Sequence, residues 1–136
     1  MSALASFTLQ HAIIAQLKQD TALLALLGGD RVFDAVPAKA VCPYLSYGPV
    51  SMRDWSTGSN AGQEHFISIS FYSRQPGFRE AYALSDTVIE SLESAELELD
   101  GHKLIFFRFD TAEFRRENDS LTTRALISFR ALTEKL

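Results

Sequence analysis

Hydrophobic residues recur along this chain with two different periods, and the switches between them mark out its elements. From Ala3 to Lys18 the pattern predicts a helix: Phe7, Ile13, Ile14 and Leu17, with Leu9 and Ala12 beside them, form a broad apolar face. Gln10, Gln16, Lys18 and Gln19 take the polar side. Asp20 reads as the N-cap of a short second helix, Thr21 to Leu27, ended by Gly28 or Gly29 in the left-handed conformation that glycine tolerates best. The period falls to two between Glu64 and Ser73, where Ile67, Ile69 and Phe71 alternate with Ser68, Ser70 and Tyr72; that is a strand with one greasy face. It returns to helical spacing from Phe78 to Glu93, where Ala81, Leu84, Ser85, Val88, Ile89 and Leu92 share a face and Arg79, Glu80, Asp86, Glu90 and Glu93 lie away from it. Large aliphatics contribute about 1.5–3 kcal/mol each on burial, so this helix is expected at the centre of the fold.

Weaker signals fill the gaps. Arg31-Val-Phe-Asp34 is a short extended piece, and Pro37 and Pro43 punctuate the connection that follows. Pro43 to Val50 reads as a strand, and Ser51 to Gly62, rich in Ser, Gly, Asn and Asp, as a loop or long hairpin tip. Asp100-Gly101 predicts a hairpin turn between Leu97-Glu-Leu99 and the run His102 to Phe114. A last strand is predicted from Ser120 to Leu132, with Leu121, Thr123, Ala125, Ile127 and Phe129 on one face and Thr122, Arg124, Ser128 and Arg130 on the other. The order of elements and the hairpin-length connections predict an α+β fold, a mostly antiparallel sheet with two main helices packed on one face, in a single domain spanning 1–136.

Charge and composition narrow the function. Net charge is -4, with 13 basic against 17 acidic residues, which leaves no overall basic footprint for nucleic acid. The pair of N-terminal helices lacks the basic recognition helix of a DNA reader. The lone Cys42 allows no intrachain disulfide and, between Val41 and Pro43, reads as a small apolar group. No run approaches the roughly 18 apolar residues of a membrane helix, and the N-terminus lacks the pattern of a secretion signal, so the reading is a soluble protein with no membrane partner.

Chemistry is sparse. His11, His65 and His102 have no partner at metal-ligand spacing, no serine sits in a G-x-S-x-G turn, and "GSNAG" lacks the lysine and the context of a phosphate loop. Glu90, Glu93, Glu96, Glu98 and Asp100 mix helix and strand periods without a calcium-loop pattern, and read as a solvated acidic surface. The sequence therefore predicts no enzyme, no cofactor and no metal. What stands out is surface. Trp55, beside Asp54 in a polar loop, either folds back over the sheet edge or becomes buried on assembly. Arg115 and Arg116 near Asp119 form either a solvated hairpin tip or a partner-binding patch. Asp54, Trp55, Arg115, Arg116 and Asp119 are the candidate interface residues.

In order along the chain stand Leu23, Leu26, Leu27 and Gly28; Arg31-Val-Phe-Asp34; Pro37, Ala40, Pro43 and Tyr44; and Asp54-Trp55. Glu64-His65, Tyr72-Ser-Arg74, Arg124, Phe129 and Arg130 follow. This succession resembles the tail-completion or tail-terminator proteins of long-tailed phages and gene transfer agents, over nearly the whole chain. The resemblance implies a structural role with no active site. It implies a homo-oligomeric ring, usually a hexamer, that caps the head-proximal end of the tail tube and stops its polymerisation. The implied partners are the tail tube protein and a neck or head-closure protein, with DNA passing through the lumen without specific binding. It implies assembly in the bacterial host cytoplasm and a place at the head–tail junction of the virion. A ring needs two different patches per subunit, and 51–62 and 112–120 are the candidate segments. Residues 51–62 are expected to be mobile in a subunit and ordered in a ring, and Glu93, Glu96 and Glu98 are one acidic surface that could line a DNA channel. Another head–tail connector, such as a head-closure or adaptor protein, and a small enzyme or ligand-binding domain remain as alternatives.

Overall fold

A computed structural model describes residues 4–136, so Ala3, where the first helix was expected to begin, lies outside the described residues. Helix α1 runs Ser6–Lys18 and buries Leu9, Ile13 and Leu17, one side chain per turn. Phe7 sits two residues, or about 200°, round the helix from Leu9 and is 76% exposed, stacked on His11 instead of joining the apolar face. Asp20 caps α2 (Thr21–Leu27) by accepting from the Leu23 N–H at 3.1 Å. Gly28 closes it at φ 81, and the Gly28 and Gly29 N–H groups both donate to Leu24 O. Arg31 completes this end by donating to Leu27 O at 2.9 Å, which explains why the double glycine is followed so closely by an arginine.

Five strands form one sheet in the order β1-β2-β3-β5-β4: β1 (Val32–Phe33), β2 (Tyr44–Asp54), β3 (Gly62–Ser73), β4 (His102–Arg116) and β5 (Thr123–Lys135). β1 lies parallel to β2, and every other pair is antiparallel. Helix α3 (Arg79–Ser94) packs with α1 and α2 over one face, placing Ala81, Leu84, Val88 and Leu92 against Ile67, Ile69 and Phe71 of β3 and Ala125, Ile127 and Phe129 of β5. This is the α+β arrangement the sequence predicts, with helices on one face of a mostly antiparallel sheet.

The structure corrects several boundaries. Ser51–Asp54 is strand: β2 runs on through a shift at Gly48-Pro49, and Ser51 pairs with Phe66 and Asp54 with Gln63. Polar side chains predicted a loop, but the ladder groups of the central strand β3 demand partners whatever those side chains prefer. The loop shrinks to 55–61, and β3 opens at Gly62. The strand expected over Leu97-Glu-Leu99 reduces to one bridge, Leu99 to His102, because Leu97 and Leu99 turn inward against the core. Leu121 belongs to the β4–β5 turn and is 59% exposed, so β5 starts at Thr123 and extends to Lys135.

Two features end the sheet. β1 is only two residues long, so most of β2 has a free outer edge. β4 carries register shifts at Leu104/Phe106 and Phe109/Thr111, and Glu93 Oε2 of α3 accepts from its Phe109 N–H at 2.9 Å. Bulges and a capping carboxylate both blunt an edge that would otherwise invite unregulated strand pairing.

Gly62 starts β3 where two backbones converge. A Cβ there would lie 2.7 Å from Trp55 O and 3.3 Å from Thr133 O, both main-chain atoms. Gly62→Ala is expected to cost about 1–3 kcal/mol through this clash, read as a lower urea midpoint with an unchanged slope. A midpoint equal to that of the wild type would show that the β2–β3 hairpin yields freely at this position.

Candidate functional site

Alternation along β3 and β5 sends every second side chain away from the helices, onto a face that no described helix or strand packs over. Register arranges this face in rows. One row carries Ser51, Phe66, Arg130 and Arg108; its neighbour carries Arg53, Glu64, Leu132 and Phe106. At the other end of the strands, Tyr44, Tyr72, Arg124 and Arg115 form a row. Between these ends lie small polar side chains, among them Ser68, Ser70, Ser128 and Thr111.

Electrostatics dominates the first end. Glu64 is fully buried, and its carboxylate is held by Arg53 through Oε1 and by Arg130 through Oε2. Burial pushes its carboxyl up, but the hydrogen bonds and charges of Arg130 and Arg53 outweigh that and hold it below the ordinary value. Arg130 and Arg108 stand directly opposite on β5 and β4, and both guanidinium groups lie over the Phe106 ring, at 5.3 and 4.4 Å. Arg53 lies over Phe66 and Trp55. At the far end Arg124 faces Arg115 across the strands and lies over Tyr72, and its buried Nε has no hydrogen-bond partner among the described residues. Two like-charged pairs placed directly opposite oppose folding by a few tenths of a kcal/mol to about 1 kcal/mol each. The face is thus arginine-rich, aromatic and short of acid.

The sequence-predicted interface residues are dispersed. Trp55 is 45% exposed at the start of the 55–61 loop and lines a shallow cleft of about 240 Å³ with Thr57, Asn60, Leu132 and Glu134. Asp54, beside it, accepts from Ser56 Oγ at 2.6 Å. Arg115 and Arg116 point to opposite faces: Arg115 joins the open face, while Arg116 lies over Phe78 on the helix side. Asp119 accepts from the Leu121 and Thr122 N–H groups and the Thr122 hydroxyl, which holds its carboxyl below the ordinary value and ties the turn. Trp55 and Arg115 also stand at opposite ends of the sheet, since Gly62 pairs with Glu134 and Ser73 with Thr123. Arg53 and Arg108 were not singled out from sequence. Strand parity places Arg124 and Arg130 on this face, because they alternate with the core of β5, but it does not reach Arg53 on β2 or Arg108 on β4.

Groups with reactive side chains have structural roles. Burial pushes the Cys42 thiol up, the reverse of what a nucleophilic cysteine needs. Among the described residues no three His, Cys, Asp or Glu side chains come together as a metal site, and no helix is long and apolar enough to cross a membrane. His65 is buried with Nε2 at 2.9 Å from Thr133 Oγ1, and burial first, then the charge of nearby His102, lowers its affinity for a proton.

Both shifts predict acid lability, in separable windows. A histidine that resists protonation when folded contributes stability that is lost as pH falls below 6.5. A carboxylate held low contributes stability present above 4.5 and lost as pH falls through its folded value. Urea unfolding at stepped pH should therefore show Glu64→Gln flattening only the limb below 4.5. A Glu64→Gln profile parallel to wild type down to acid pH would remove the two-arginine clamp as a source of stability.

The comparisons with known proteins agree with one another. The family model described as tail completion protein gp17 matches residues 11–134. A chain in the virion of a native gene transfer agent particle is 34% identical, with a TM-score of 0.89, covering 98% of this chain and 99% of that one. The gp17 protein of bacteriophage SPP1 has the same fold at 19% identity, with a TM-score of 0.61 over 96% of this chain and 95% of that one. No curated protein sequence matches the chain. With a family match spanning nearly its whole length and a virion chain superposing end to end, this chain belongs to the tail completion protein gp17 family of phage and gene transfer agent virions.

Proposed function

We propose that this tail completion protein caps the head-proximal end of the tail tube as a ring of six subunits and thereby ends tube polymerisation. The carrying observation is the end-to-end match, at 34% identity, to a chain of an assembled gene transfer agent virion. The subunit's geometry supports it. Its two layers present unlike outer surfaces, an arginine and aromatic sheet face and an acidic helix face, and a closed ring is built from two different patches per subunit. In this reading the ring meets the tail tube protein on one side and a neck or head-closure protein on the other. DNA crosses the lumen without specific binding, and assembly takes place in the bacterial host cytoplasm before the ring is fixed at the head–tail junction.

Deleting the gene and imaging the particles tests the role. The expected result is tails longer than wild type and detached from heads, rescued by the wild-type chain. Tails of normal length that lack heads would move the protein to another connector position in the neck.

Order in the 55–61 loop follows from the same reading. Inside the loop, Thr57 N–H donates to Asn60 O, and Ser56, Thr57, Gly58, Ser59 and Asn60 are all exposed. Deuterium exchange of these amides should be fast in the separated subunit and markedly slower in rings. Equal rates in both would exclude the loop from the subunit contact.

A further inference from the structure

The open sheet face is rich in arginine, and α3 of the same chain carries an acidic stripe. On α3, Asp86, Glu90 and Glu93 fall at i, i+4 and i+7 and form one exposed stripe with no basic side chain after Arg79 on the helix, Glu93 keeping only its Oε1 free because Oε2 accepts from the Phe109 N–H of β4. Opposite, on the sheet, Arg53, Lys103, Arg108, Arg115, Arg124 and Arg130 face outward, with Glu64, Glu113 and Glu134 among them and Asp110 exposed at the β4 bulge. Of the described carboxylates, Glu64 is the one in ion-pair contact with these arginines. The charges are therefore segregated to opposite sides of a two-layer subunit whose net charge is only -4.

Shape agrees with charge. The arginine rows at Phe66 and Tyr72 are six residues apart on β3, about 20 Å at roughly 3.3 Å per residue, and the floor between them carries Ser68, Ser128 and Thr111 in one row and Ser46, Ser70, Leu126 and Glu113 in the next. A helix with its side chains is about 10–12 Å across and fits between the rows. Arginines already held over aromatic rings lose little freedom when their forks meet carboxylates, and arginine and aromatic side chains are those that interface centres favour.

We infer that the open sheet face of one subunit receives the Asp86–Glu90–Glu93 stripe of α3 from the next subunit. This gives a head-to-tail contact that sets the order of subunits in the ring, and it rests on the ring reading above. Charge excludes the two symmetric alternatives, because sheet against sheet opposes arginines and helix against helix opposes carboxylates. A polynucleotide is disfavoured as occupant because Glu113 and Glu134 break the continuous basic track that a phosphate backbone requires, whereas a helix stripe presents its carboxylates at a few discrete points that can avoid them.

Two doubly substituted proteins test the contact by sedimentation and native mass measurement. Asp86→Arg with Glu90→Arg reverses the helix stripe, and Arg108→Glu with Arg115→Glu reverses the sheet; all four residues are exposed. Circular dichroism checks folding, and should either protein misfold, the Asn/Gln substitutions at the same sites replace it, read by a reduced salt dependence of assembly. Each reversed protein alone should associate about 10- to 100-fold more weakly than wild type. An equimolar mixture should regain rings of alternating subunits, since the two unaltered faces meet at one contact and the two reversed faces, still opposite in charge, meet at the next. Rings that form from either reversed protein as readily as from wild type, or a mixture that stays monomeric, overturn the inference and leave the ring reading standing. A wild-type chain that never assembles, alone or with tail tube protein, overturns both. Binding of a 30-base-pair DNA duplex that is lost on Arg108→Glu/Arg115→Glu, with self-association unchanged, makes nucleic acid the occupant and also overturns it.

Discussion

Alternation along β3 and β5 ties each side chain buried beneath α3 to a neighbour that must face the other way. Ile67, Ile69 and Phe71 go under the helices, so Phe66, Ser68, Ser70 and Tyr72 cannot. Likewise Ala125, Ile127 and Phe129 send Arg124, Leu126, Ser128 and Arg130 outward. A one-residue slip would exchange these sets and bury two arginines, so register here is enforced by both faces at once. The pairing of Phe66 with Arg130 and of Glu64 with Leu132 follows, and it brings Arg53, Glu64 and Arg130 together from three strands. The core and the charged outer face are two readings of one register.

That coupling explains what could be read from the sequence. Strong periodicity exposed α3 and β3, and cap chemistry exposed the second helix, from Asp20 to the Gly28-Gly29 pair, of which the structure makes Gly28 the cap. It failed where pairing decides the outcome. Ser51 to Asp54 is polar enough to pass for a loop, yet it continues a strand because β3 needs a neighbour. Leu97-Glu-Leu99 alternates like a strand, yet it finds no ladder because β4 already pairs with β5 and the two leucines are drawn to the core. Phe7 is apolar but lies on the wrong side of α1. Residue types announce local preference, whereas ladder partners are a property of the whole sheet.

The candidate surface was half legible for the same reason. Arg124 and Arg130 share a parity within one strand, so they can be placed on one face without a structure. Arg53 and Arg108 come from other strands, and two registers are needed to bring them alongside. Arg115 and Arg116 show the converse. Adjacent in sequence they look like a patch, but in a strand adjacency means opposite faces. Asp119, which looked available to a partner, has its carboxylate committed to three groups of its own turn.

Glu64 shows what kind of surface this is. An apolar residue in its place would pack as well, and a buried ion pair is seldom the most stabilising choice. A carboxylate shared by two arginines does something a leucine cannot: it holds Arg53 and Arg130 in place while leaving one positive charge in excess. Phe106 holds Arg108 in the same way, through its ring instead of a charge. A large apolar patch would make a subunit stick to any similar patch before its partners arrived. A face of constrained, under-neutralised arginines stays wet, repels its own kind and accepts only a surface of opposite charge. Such a face discriminates between partners by charge, which a purely apolar face does not.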